Sequence, residues 1–300
     1  MIDEWETAMV THGTKHCDRM KSGSVSNAQK LPDTYYDLER IAFQIADYTQ
    51  DESWTLCAQA AEKVYRDHFL RADNAQAPGY WVFSHGLHMD YDRTGDAESK
   101  RFVGLLAINA AFAQASPWND KEMPKAAYSR ETAYALMTHL ANAKLGTINT
   151  ARIAQLAGFA LGHIDQWANN QTFVKPFMAA LTAEALIEYH ARYDDSRVLP
   201  ALEKLADYVW DKTWRQSAEA FLYIDRSISG EDPSIPAPDL NLLISPMFSW
   251  LWYQTGQVRF KDRHDAIWNG GVKRAWLAGA KVFNQSMRWS IQGLKWRQSK

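Results

Sequence analysis

An all-α fold of antiparallel helical hairpins is what this 300-residue sequence predicts. Three observations carry that expectation. Apolar residues recur at helical spacing, as in Phe177, Leu181, Ala185, Leu186 and Tyr189, which is the one-sided stripe of an amphipathic helix. Short polar turns fall near Asp51, Gly95, Gly146, Asp195 and Gly256, roughly 45 to 60 residues apart, in the range where repeat architectures show themselves. Between those turns lie longer loops rich in aromatic residues, so an even series of hairpins places short turns at one end and long loops at the other. Strand patterning is almost absent, which argues against α/β folds.

Taken in order, residues 2–20 read as a helix with Trp5, Met9 and Val10 apolar, and residues 22–30 as a polar loop. Leu31-Pro32-Asp33-Thr34 introduces a helix from about Tyr35 through Ile45. A turn at 49–53 leads to a helix over 54–70, and the loop 71–84 carries Tyr80 and Trp81. Residues 85–91 are helical with Gly95 as C-cap, and residues 99–115 are helical again. The loop 116–127 contains Trp118; a helix over 128–145 stops at Gly146, and Asn149 or Thr150 opens the next, to about Asp165. Pro176 sits in a first helical turn, where its missing N–H has no partner to lose. That helix ends at Asp194-Asp195-Ser196, before one carrying Val198, Leu202, Leu205 and Val209. Residues 211–239 form a loop excursion from a single domain spanning 1–300, with a short strand at 220–225. Helices over 240–254, 260–268 and 283–296 complete a set of ten to twelve.

A net charge of −2 and a pI near 6.5 argue against a general nucleic-acid or membrane-surface binder. No apolar run approaches the ~20 residues of a membrane span. The first ten residues show no signal peptide, which leaves a cytoplasmic protein or one whose leader was removed. Cys17 and Cys57 match no ligand motif or disulfide framework and read as free buried thiols, with one bridge between neighbouring helices as the alternative. His85 and His88 share a helix face but lack a third ligand, so neither a metal nor another cofactor is expected. The oligomeric state is not legible.

The hairpin period, the turns Thr94-Gly95-Asp96 and Thr255-Gly256, and the aromatic loops together resemble the (α/α)-toroid carbohydrate-active enzymes, among them six-hairpin glycosidases and helical-barrel polysaccharide lyases. The resemblance covers nearly the whole chain and is architectural. It implies a toroid of five to six antiparallel hairpins, where the hairpin period alone leaves an open solenoid equally possible. It also implies a sugar site where the inner helices begin. The residues gathered at those helix starts are Tyr80, Trp81, His85 and His88; Trp118, Tyr128, Arg130 and Glu131; Lys175; Asn241; and Asn284, Gln285, Arg288 and Trp289. Asp165, Gln166 and Trp167 close an outer helix at the same end.

From these residues, the first reading is a lyase cleaving an acidic, uronic-acid-containing polysaccharide by β-elimination. Such a reaction needs a group to neutralise the carboxylate, a base for the C5 proton and an acid for the leaving oxygen. Asn284, Gln285, Arg130, Arg288 and Lys175 suit the first task, and His85, His88 or a tyrosine such as Tyr128 the others. Residues 257–300 hold ten Lys and Arg against two Asp, a local charge of +8 able to steer an acidic substrate. An inverting glycoside hydrolase using Glu131 and Asp165 is the second reading, and a non-catalytic glycan-binding protein the third.

Overall fold

The computed structural model describes residues 1–228 and 230–299. It is all-α. α1 (Ile2–Lys21) and the short α2 (Asn27–Lys30) precede α3 (Leu38–Thr49) and α4 (Ser53–Glu62), which runs on as a π-helix over Lys63–Leu70. Next come α5 (His85–Thr94), α6 (Ala97–Asn109), α7 (Pro117–Glu122), α8 (Ser129–Lys144) and α9 (Thr150–Ala168). α10 (Pro176–Tyr193) and α11 (Val198–Thr213) lead to a small antiparallel pair, β1 (Trp214–Arg215) with β2 (Ala220–Phe221). α12 (Asn241–Thr255), α13 (Val258–Arg274), α14 (Ala280–Met287) and α15 (Ser290–Gln298) complete the order. Among the described residues, no helix is long and apolar enough to cross a membrane.

The tight turns share one backbone device. A residue with positive φ stands at Gln50, Gly95, Gly146, Asp194 and Gly256, with φ of 58, 74, 100, 48 and 67°. Left-handed residues at this place let a backbone N–H turn back onto the last helical carbonyls, as Gly95 does to Tyr91 and Gly256 to Trp252. The helices on either side of each turn pack together: α3 on α4, α5 on α6, α8 on α9, α10 on α11 and α12 on α13.

Burial sorts these helices into two kinds. α8, α10 and α12 are buried on nearly every face, whereas α11 buries the stripe Val198, Leu202, Leu205, Ala206 and Val209. A helix apolar all round belongs inside and one with a stripe lies at the surface. A chain of contacts runs from α3 to α5, then α8, α10, α12 and α14, and α14 packs back on α3. α1 packs against both α4 and α14.

Several boundaries differ from the sequence expectation. α3 begins at Leu38 rather than Tyr35, because Tyr36 and Asp37 take positive φ (68 and 72°) and the Asp37 carboxylate then caps the Arg40 N–H. α13 continues to Arg274 through residues expected to be loop; Gly270 permits a backbone approach, since a Cβ there would fall 1.9 Å from the Glu219 carbonyl oxygen. The expected helix over 283–296 is broken between α14 and α15, at Arg288 and Trp289. The loop 116–127 holds α7, and the expected strand shortens to β2, with Leu222 bridging to Pro236. Cys17 and Cys57 are joined in a disulfide rather than free. The packing of α1 on α4 brings their buried faces together, with the two Cα atoms 5.2 Å apart, within the bridging range.

Candidate functional site

A cavity of about 380 Å³ gathers titratable groups from four of the packed helices and aromatic ones from the C-terminal segment. Arg40 and Gln44 enter it from α3, and His85, His88 and Asp92 from α5. Lys144 comes from the last turn of α8, Glu184 and Glu188 from α10, and Trp289 and Trp296 from the C-terminal segment. Sugar rings stack on such aromatic faces, and a concavity with a few convergent polar groups is the usual form of a ligand site.

Two charge systems meet in this cavity. At its floor, Glu184 receives Arg40 Nη1 at 2.5 Å through one oxygen and Arg288 Nε at 2.7 Å through the other. Burial pushes the Glu184 carboxyl up, but Arg288 and Arg40 outweigh it and hold it below its ordinary range. Oriented to satisfy both neighbours, the Gln44 amide donates to the Arg288 carbonyl and accepts from Arg40 Nε, each at 3.0 Å. Above this floor, His85 Nε2 lies 2.7 Å from Glu188 Oε1. Burial raises the Glu188 carboxyl, yet His85, backed by Lys144 and Arg40, brings it down to about 2. Glu188 accepts from Nε2–H and so fixes the orientation of the His85 ring, leaving Nδ1 as its other nitrogen. His88, one turn on, faces Asp92 at 3.3 Å, and burial lowers its pKa below 6.5. The set provides an imidazole oriented by a carboxylate, a second imidazole, the exposed Lys144 and the partly exposed indole of Trp296.

Of the residues singled out from sequence, His85, His88 and Trp289 line this cavity, and Arg288 lies directly behind it. A second group stays together at the other end of the helices. There Arg130 pairs with Glu131 at 2.5 Å and lies 5.5 Å from the Tyr80 ring, while Trp81 stands edge-on to Tyr35 at 5.4 Å. Tyr128 and Trp118 pack with Phe112 beside them. Arg130 and Lys144 are separated by almost the whole of α8, about 21 Å at 1.5 Å per residue. Lys175 is tied to Glu231 at 2.7 Å and lies 5.3 Å from the Tyr223 ring.

The remaining residues are committed elsewhere. The Asp165 side chain is 69% exposed and pairs with Lys204 in a shallow outer groove between α9 and α11. Gln166 ties Pro124 and Ala126 by backbone bonds, and Trp167 is fully buried in the core. Asn241 bonds the carbonyls of Glu219 and Ile267. Asn284 donates to the carbonyls of Asp33 and Tyr35, and Gln285 to that of Asp239. Arg288 is buried, and the carboxylate it holds is the protein's own Glu184. Nor is the basic C-terminal stretch a free field: Arg259 and Arg263 pair with Asp207, Lys273 and Arg274 with Glu219, and Arg297 with Asp265. Lys300 lies outside the described residues.

Sequence reasoning passed over Arg40, Lys144, Glu184, Glu188 and Trp296. Glu184 and Glu188 did leave a signal, as two acids one turn apart on an otherwise apolar helix. Burying such a pair without cations would be costly, so partners had to come from elsewhere in the chain. No protein-family model, no curated protein and no solved structure matches this chain.

Proposed function

We propose that the helices close into a toroid of antiparallel hairpins, and that the chain is a carbohydrate-active enzyme: a polysaccharide lyase acting by β-elimination on a uronic-acid-containing glycan. Support for the ring comes from the packing order, in which contacts run from α3 through α5, α8, α10 and α12 to α14 and α14 returns to α3. One observation carries the activity: the His85–Glu188 pair faces the same cavity as Arg40 and Lys144. In this reading the exposed Lys144 neutralises the substrate carboxylate, which acidifies the C5 proton, while Arg40 stays on Glu184 and adds to the positive field. His85 takes that proton, Glu188 stabilises the resulting imidazolium, and the C5 electron pair forms the C4–C5 double bond as the C4–O bond breaks. His88, which lines the same cavity, is the donor assigned to the departing oxygen, and the partly exposed Trp296 offers a face for the sugar, Trp289 being buried behind it.

The cavity volume is at the small end for ligand sites, which suits a chain end better than the interior of a polymer. The Cys17–Cys57 bridge favours an oxidising compartment as the setting. For a hydrolase built on Glu131 and Asp165, the placement of Asp165 against Lys204 on the outer surface offers no support.

The test is a panel of acidic and neutral polysaccharides and oligosaccharides. Products are followed by ultraviolet absorbance of unsaturated uronic ends and by new reducing ends. Both signals should rise together on an acidic substrate, and His85→Ala and Glu188→Gln should each lower turnover at least a hundredfold. Reducing ends without the absorbance would replace the lyase by a hydrolase. Full activity in His85→Ala would remove the proposed base, and full activity in Glu188→Gln the role given to Glu188.

A further inference from the structure

We propose that Glu62, Asp90 and Asp96, from α4, α5 and the start of α6, with Glu39 of α3 buried beside them, form a binding site for a calcium-class divalent cation. One oxygen each from Glu62, Asp90 and Asp96 lie within 4.8 Å of one another. Oxygens sharing one calcium ion sit at about 2.3–2.6 Å from it, so their own separations reach at most about 5 Å. The fourth acid is an independent observation. Glu39 is 2% exposed, and neither of its carboxylate oxygens has a hydrogen-bond partner. The charges acting on it are those of Glu62, Asp37 and Asp90, with Arg66 opposing them. Its position follows from the packing of α3 on α5: a Cβ on Gly86 would fall 2.7 Å from Glu39 Cβ, and Asp90 lies one turn along that same face.

Positive charge is in short supply here. Arg66 Nη1 reaches Glu62, Asp96 and the Ser99 hydroxyl, the latter two at 2.7 Å. Ser99 Oγ lies 2.8 Å from Glu62 and 2.7 Å from Asp90, yet a hydroxyl has one proton and can donate to only one of them. One guanidinium and one hydroxyl thus face four carboxylates, two of them buried beside Glu39, an arrangement that calls for further positive charge, from a cation or from protons. Glu62 is also the last residue before the π-helical stretch that carries Arg66, and π-turns are frequent at functional sites. Calcium fits better than magnesium, because magnesium keeps several waters that a buried carboxylate cage has no room for. Asp90 lies on the face of α5 turned away from His85, His88 and Asp92, so the site is separate from the cavity and independent of the lyase reading.

The experiment titrates chelator-treated, full-length protein with calcium chloride, followed by calorimetry and thermal melting. Expected are one ion per chain and a Tm rise of about 5 °C or more at saturation, with magnesium chloride giving less. Glu39→Gln, which keeps the shape and removes the charge, should weaken binding at least tenfold. Asp96→Asn, at the solvent edge with its side chain 36% exposed, should do the same and serves if the first variant folds poorly. Absence of both heat and Tm rise in the wild-type chain overturns the proposal, and protons then neutralise the cluster. Wild-type calcium affinity in the two variants overturns it as well, by assigning the ion to surface acids.

Discussion

Glu184→Gln is the substitution that most directly probes how the cavity floor is held. It changes a carboxylate to an amide of the same shape, so packing is preserved and only charge is removed. The side chains of Arg40, Glu184 and Arg288 are 9%, 2% and 1% exposed, and Glu184 is bonded to both guanidiniums. Without it, two buried cations face each other across an amide. Breaking a buried pair by removing one partner costs about 3–5 kcal/mol, a large share of the roughly 5–15 kcal/mol that stabilises a typical domain. At about 2–4 °C per kcal/mol, Tm should fall by roughly 6–20 °C. Arg288→Met should cost less, since it leaves Glu184 and Arg40 paired one to one. Because Glu184 is held below its ordinary range, its stabilisation is present above the unfolded carboxylate pKa and is lost as pH falls through the lower folded value. The assay is thermal and urea unfolding of wild type and both variants at pH 7. A Tm change in Glu184→Gln under about 2 °C, or a larger loss in Arg288→Met, would refute the argument that this carboxylate neutralises the floor.

Other outcomes follow from single contacts. Cys17→Ser, or reduction of the wild type, removes a crosslink between residues 40 apart and should cost about 4 kcal/mol by loop-closure entropy, read as a lower urea midpoint. Gly270→Ala would force a Cβ against the Glu219 carbonyl and should destabilise by about 1–3 kcal/mol, whereas Gly158→Ala, with open space at its Cβ, should not. His163 and His264 are brought by burial to about 4, from 6.5. Their folded values are depressed, so the unfolded chain takes up protons first, and stability is full above 6.5 and declines as pH falls toward 4. The decline should reach roughly 3 kcal/mol per histidine. His163→Gln, which retains a donor for the Met123 carbonyl, should flatten the Tm–pH curve between those values; an unchanged slope would count against the assignment.

What was legible in the sequence was what neighbours within a turn or two decide. Gly95, Gly146 and Gly256 announced their left-handed positions, and helical spacing announced α10 and α11, although α10 is buried on nearly every face and only α11 keeps a one-sided stripe. Gln50 and Asp194 take the same backbone conformation without the glycine that would have flagged it. The run through Gly270 gives no helical stripe in sequence, yet it is helical, and the missing side chain of Gly270 admits the Glu219 backbone. Tyr36 and Asp37 delay α3 by adopting positive φ, which no periodicity reports.

The sequence by itself determined the all-α class, the order of helices and the spacing of tight turns, because caps and apolar stripes act over three or four residues. Tertiary structure alone decided the chemistry of the cavity. Arg40 meets Glu184 across 144 residues, Arg288 meets it across 104, and His85 meets Glu188 across 103. It also decided that arginines of the basic C-terminal stretch pair with acids of other elements, and that Asn284 and Gln285 serve the backbone. A charge read from sequence carries no record of its partner; burial makes a partner obligatory, and only the packing of helices says which one it meets.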